Sequence, residues 1–163
     1  MIFGEYTFIQ TDVAVEADRH FVAAQLRQFN NVTSPHHLYI RTNPPRPLDL
    51  FVRDADGAIM AALVSDSYWG WLDVDDLWVH EALRGRGIGA HLLHLAERAA
   101  QRRGCQHVKL TTFSFQARGF YEKRGYRVAG ALEDYPPGAT YFWLRKDFPP
   151  AGSPAAQQPS AQP

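Results

Sequence analysis

Apolar positions along this chain change period several times, and each change marks an element. Residues 6–10 read as a short strand, whereas Phe21, Val22, Leu26 and Phe29 recur at helical spacing and predict an amphipathic helix over 14–29. Ser34 before Pro35 reads as an N-cap with proline at the first helical position, opening a short turn that the proline cluster at 43–47 ends. Residues 48–53, 54–57 and 58–65 predict strand, turn and strand, because Asp56-Gly57 supplies the backbone freedom a tight hairpin needs. A second hairpin runs through Tyr68-Trp69-Gly70-Trp71 into a strand over 73–79.

Beyond residue 79 the period switches from two to 3.6. After a loop of glycine and arginine, Ile88, Leu92, Leu93, Leu95, Ala96 and Ala99 populate one side of a helix ending near Gly104. A strand over 107–112, a short helix over 115–124 stopped by Gly125, and strands over 126–131 and 140–145 complete the pattern. From 149 to 163 the chain is proline, alanine and glutamine with few large apolar groups, which predicts a disordered tail behind one domain over 1–148.

A chain of 163 residues suffices for one domain with its own core, and its formal net charge of zero supplies no global field for nucleic acid or an anionic membrane. A small-molecule partner is expected instead. Cys105 is the only cysteine, so no intramolecular disulfide forms. The first residues carry no basic segment followed by an apolar run, and no stretch approaches about 18 apolar residues, so the expected location is the cytoplasm.

The candidate chemistry sits where the period switches. Arg84-Gly85-Arg86-Gly87-Ile88-Gly89-Ala90 joins a predicted strand to a predicted helix, where unpaired N–H groups and the positive helix end favour a phosphate. Glycine permits close backbone approach and the dihedrals of an N–H nest, while Arg84 and Arg86 add charge. A dinucleotide fingerprint would want an acidic residue about 20 positions on, where the chain reads Lys109-Leu110-Thr111-Thr112. A nucleotide P-loop would end Gly-Lys-Ser/Thr, and Gly89-Ala90-His91 does not. A glycine-rich turn with solvated arginines is the plain alternative.

Arg84-x-x-Gly87-x-Gly89, following a strand that ends Leu77-Trp78-Val79, resembles the coenzyme A pyrophosphate loop of the GNAT superfamily of N-acetyltransferases. Ala117, Phe120, Tyr121, Gly125 and Tyr126 are spaced like the second motif of that family, in family order and separation, and the resemblance extends over about 6–148. It implies an α/β fold, a mixed, mainly antiparallel sheet flanked by helices, with a V-shaped opening between the two central strands. It implies acetyl-CoA as acyl donor, without a metal, and direct transfer to a primary amine of a small molecule. A protein lysine or N-terminus as acceptor, and a non-catalytic acetyl-CoA-binding module, remain as alternatives. Dimers are common in the family, but nothing in this sequence decides between monomer and homodimer.

The resemblance assigns roles residue by residue. Tyr121 falls at the position of the acid that protonates the leaving thiolate, a task suited to a phenol that keeps its proton at neutral pH; packing beside Phe120 is its structural alternative. Backbone N–H groups of Leu77, Trp78 and Val79 would face the pantetheine arm and the oxyanion. Ser114 stands where the family commonly has asparagine near that arm. For a base, strand alternation puts Asp73 and Asp75 on one face and Asp76 on the other. Asp73 matches the family spacing better, whereas Asp75 lies nearer the expected thioester, and solvated carboxylates are the alternative. Glu133 and Asp134 would border the acceptor site in this family, and an acidic mouth favours a cation. Tyr68, Trp69 and Trp71 suit a pocket wall or, more simply, hairpin packing. The seven histidines show no zinc pattern.

Overall fold

The computed structural model describes residues 2–149, so nearly all of the tail expected over 149–163 lies outside the described residues. After Asn43 the chain divides into two compact units. In the first, Ile2–Phe3 (β1) pairs antiparallel with Tyr6–Thr7 (β2) around Gly4, whose φ of 64° turns the chain. The strand expected over 6–10 is therefore only two residues long, with a partner the pattern did not mark. Helix α1 runs Glu16–Thr33 and α2 runs Pro35–Thr42. Ser34 does cap α2, its Oγ accepting from the His37 N–H at 3.4 Å. The short turn expected there is instead a helix of eight residues. It persists because no breaker intervenes before Pro44, which drives Asn43 out of the helical region.

The second unit is built on a seven-stranded sheet. Arg46–Pro47 (β3) and Leu50–Arg53 (β4) both pair with Ile59–Tyr68 (β5), followed across the sheet by Trp71–Val79 (β6), His107–Phe113 (β7), Thr140–Asp147 (β9) and Arg127–Glu133 (β8). Only β6 and β7 run parallel among the described strands, giving the mixed, mainly antiparallel sheet that the motifs implied. The β5–β6 hairpin is longer than its hydrophobic pattern predicts, because Tyr68 and Trp71 pair directly across a two-residue turn. That turn needs positive φ at both positions, and Trp69 (52°) and Gly70 (77°) adopt it.

Helix α3, Ile88–Arg102, buries Leu92, Leu93, Ala96 and Ala100 in a core that includes Ala61, Leu63, Leu72, Val108 and Leu144. Glu97 is buried on the same face without being orphaned: it accepts from the Tyr126 hydroxyl at 2.9 Å and from Lys146 at 2.6 Å. Helix α4, Arg118–Glu122, is shorter than the 115–124 expected. The Gln116 side chain folds back to accept from the Phe113 N–H at 2.8 Å, holding 115–117 as a turn.

The V-shaped opening has a local cause. Parallel pairing of β6 with β7 ends at Val74 and Leu110, after which 75–79 continue along β5 and 111–113 along β9. At the branch, Ser65 pairs with Val74 but Val64 pairs with Asp76, leaving Asp75 as the extra residue of a β-bulge. The bulge also corrects the facing of the carboxylates. Leu77 and Val79 join Val74 on the α3 side through their partners Leu63 and Ala61, so Asp76 falls on the Asp73 side rather than opposite it.

Candidate active site

On the α3 side of the V lies a cavity of about 460 Å³. One wall is the end of β6, with Leu77, Trp78 and Val79; the floor and far end are Arg84, Gly85, Gly87, Ile88, Gly89 and Ala90; the other wall is Ala117, Phe120, Tyr121 and Arg124. After β6 the chain makes one 3₁₀ turn, Glu81–Leu83, and Arg84 is tied back by a 3.1 Å bond from Nε to the Val79 carbonyl. Gly85 and Gly87 take left-handed φ of 76° and 79°. Because the His91 N–H makes the first helical bond, to Gly87, the N–H groups of Ile88, Gly89 and Ala90 have no acceptor within the helix, and these residues line the cavity. At Gly89 the requirement is space: a Cβ there would meet Val79 at 3.4 Å and Phe120 at 3.6 Å, narrowing the cavity.

Tyr121 stands in the opposite wall, packed edge to face on Phe120 and Tyr126 at centroid distances of 5.0 and 5.7 Å. Burial pushes its phenol above the ordinary tyrosine pKa, because the phenolate would lose its hydration. Among the described residues no protein group hydrogen-bonds that hydroxyl, so its proton is uncommitted.

The remaining expected residues are outside this cavity. Asp73 is committed: it accepts from the Tyr68 hydroxyl at 2.7 Å and pairs with Lys109. Asp75, at the bulge, has its carboxyl pushed above the usual range, first by desolvation and then by the charges of Asp73, Asp66 and Asp76. Ser114 ties strand ends together, its Oγ accepting from the Thr140 N–H at 3.1 Å and its own N–H bonding the Thr140 carbonyl at 2.8 Å. Arg86 is exposed and does not line the cavity. Trp71 packs on His107 at 4.5 Å with Arg145 over its ring, which is sheet packing.

Arg124 was not singled out as a site residue, yet it reaches the cavity. Its guanidinium lies 3.6 Å from the Phe120 ring centroid and hydrogen-bonds the Phe120 carbonyl. Its only trace in the sequence is its place one turn beyond Tyr121, which by itself resembles any solvated helix end. Among the described residues no group of three or more histidine, cysteine or carboxylate side chains could hold a metal, and no helix is long and apolar enough to cross a membrane.

An anion-receptive helix start, a buried phenol and a sheet edge released between them are features that acyl transfer from a phosphate-bearing donor can use. The pattern of the Acetyltransferase (GNAT) family matches residues 18–126. A blasticidin-S acetyltransferase of Streptomyces morookaense is 39% identical over 131 residues, covering 76% of this chain and 96% of that protein. A crystal structure of an acetyltransferase from Bacillus cereus superposes with a TM-score of 0.71 at 30% identity, over 86% of this chain and 98% of the other. A streptothricin acetyltransferase from Bacillus anthracis, solved with acetyl coenzyme A, shares the fold at 20% identity, with a TM-score of 0.57 over 66% and 65% of the two chains. The chain belongs to the GNAT family of acetyltransferases.

Proposed function

We propose that the protein transfers an acetyl group from acetyl-CoA to a primary amine of a small cationic molecule, with Tyr121 as general acid. The observation that carries this reading is the pairing, in one cavity, of the Arg84–Ala90 loop with the uncommitted, buried Tyr121 hydroxyl. In it, the pyrophosphate rests on the N–H groups that open α3, Arg84 and Arg86 add charge, and Arg124 supplies a further cation at the wall. The edge of 75–79 that turns away from β5 has lost its β7 partner, so its backbone is free to bond the pantetheine arm and polarise the thioester carbonyl. Ser114 is left out of this set because its hydroxyl is already engaged with Thr140.

The amine then approaches through the V from the face that carries the carboxylates. An ordinary amine is protonated at neutral pH and must lose a proton before it attacks. Asp75 suits that role better than Asp73: its raised pKa makes it the stronger base, whereas Asp73 is held by Lys109 and Tyr68. Tyr121 delivers its proton to the departing thiolate. Asp66, Asp73, Asp75 and Asp76, with Lys109 the cation paired into the cluster, favour a positively charged acceptor, in keeping with the antibiotic named for the Streptomyces relative.

The test is release of free coenzyme A across small amines, blasticidin S and lysine peptides, with wild-type protein and Tyr121→Phe in parallel. Release that depends on a small amine and collapses in the variant is expected; release only with peptides would overturn the acceptor class.

A further inference from the structure

The face of the sheet that carries the carboxylates also carries a set of aromatic rings that acetyl transfer does not use. Cross-strand pairing of Phe113 with Tyr141 and Thr111 with Trp143 puts Phe113, Tyr141 and Trp143 on the face of Lys109 and Asp73. Phe115 stacks on Phe113 at 5.0 Å with planes 6° apart; Phe113 meets Tyr141 at 4.8 Å; Tyr141 meets Trp143 at 5.1 Å and Tyr135 at 5.9 Å. Five rings thus form one continuous array.

Core packing does not account for it. Phe115, Tyr135 and Trp143 are 67%, 57% and 41% exposed, whereas core residues of the same sheet such as Leu72 and Val108 are fully buried. A contiguous patch of exposed aromatic area marks a binding surface. Its position is specific. β7 leaves β6 after Leu110, so Thr111 and Phe113 border the V on one side while Asp75 borders it on the other. Tyr135 is held at the same end by a closed loop, in which its N–H bonds the Ala139 carbonyl at 2.9 Å and Asp134 accepts from the Gly138 N–H at 2.7 Å. Glu133, exposed at the end of β8, adds charge beside it. A chain-like polyamine would need the carboxylates alone. Flat rings beside carboxylates suit a ligand with a planar part and a cationic part.

We propose that the acceptor carries a flat conjugated ring close to its amine, and that Phe115 and Tyr135 grip this ring while the amine reaches the V. The inference rests on the acetyl-transfer reading and deepens it, by naming the structural class of acceptor that the site selects.

The test compares 2-phenylethylamine with 2-cyclohexylethylamine, which match in charge and reach but differ in flatness, by kcat/KM with saturating acetyl-CoA. Wild-type protein should prefer the flat amine about two- to tenfold, the range one aromatic contact supplies. Phe115→Leu and Tyr135→Leu should each lower that ratio, and the double variant should bring it to about one, with the thermal midpoint held as a check on folding. Phe51→Leu, an exposed aromatic on β4, should keep the wild-type ratio. Equal rates for both amines in wild-type protein, or a preference that survives the double variant, would overturn the ring-binding inference while leaving acetyl transfer intact. Bound acetyl-CoA with no release to any amine, blasticidin S included, would overturn both.

Discussion

The two faces of the sheet at the V are made of different materials. On the α3 side the cavity is built largely from backbone: left-handed glycines, unpaired N–H groups at a helix start, and a strand edge without a partner, with Arg84, Tyr121 and Arg124 its ionisable side chains. The opposite face is instead covered by side chains, four aspartates near Lys109 and five aromatic rings. In the proposed reading, backbone recognises what every donor molecule shares, the phosphates and the thioester arm. Side chains can vary without disturbing the strands beneath, so the proposal assigns acceptor selection to the face they cover.

If this division holds, substitutions on the two faces should separate kinetically. The largest effect is expected at Tyr121→Phe, which should lower kcat by about 10²–10⁴, the usual worth of a general acid, while leaving the dissociation constant for acetyl-CoA within about threefold, since the ring and its burial are kept. Next, Asp75→Asn should lower kcat/KM for the amine by about 10²-fold or more. The wild-type pH profile should show an acidic limb displaced above the ordinary carboxylate pKa, absent from the variant. Stability should move the other way. A carboxyl whose folded pKa is raised favours the fold only below its unfolded pKa of about 3.9 and opposes it once pH passes the raised value. Asp75→Asn should therefore melt at a higher temperature than wild type at pH 7 and show no such gain near pH 3. Thermal scans at the two pH values measure this.

Gly87→Ala acts on the other face. With φ at 79° and open space around its Cα, the variant is strained rather than crowded. A cost of about 1 kcal/mol should appear as weaker acetyl-CoA binding, about fivefold by titration, with the flat-to-saturated amine ratio unchanged. The smallest effect is expected on the carboxylate face at the end farthest from the V, where Asp147 pairs with His107. Asp147 bonds Arg127, Arg145 and His107, and these hold its carboxyl far below the usual range. A depressed pKa stabilises above the unfolded value and is lost as pH falls through the folded one. Asp147→Asn should thus lower the thermal midpoint slightly at pH 7, less so in high salt because the group is exposed, and the difference should fade in strong acid.

The same contrast explains what the sequence disclosed. Arg84 to Gly89 were legible because a backbone device demands glycine at set positions, and the demand is local. Tyr121 was legible because its helix keeps a fixed spacing to Gly125 and Tyr126. The placement of Asp76 was not, because the parity of β6 is broken by one unpaired residue, and that residue is chosen by pairing with β5 rather than by anything near Asp75. The aromatic array was hidden for a related reason: its members come from β7, the following turn, the β8–β9 loop and β9, and only cross-strand register assembles them. Helix α2 was read as a turn because eight residues hold too few apolar positions to show a period.

The central claim, that a backbone-built donor cavity presents the thioester to a single acid, is tested most directly by measuring kcat and acetyl-CoA affinity together on Tyr121→Phe. Turnover lowered by about 10²-fold or more with affinity nearly unchanged is the predicted result. A variant that turns over like wild type, or that loses turnover only because it no longer binds acetyl-CoA, would contradict it.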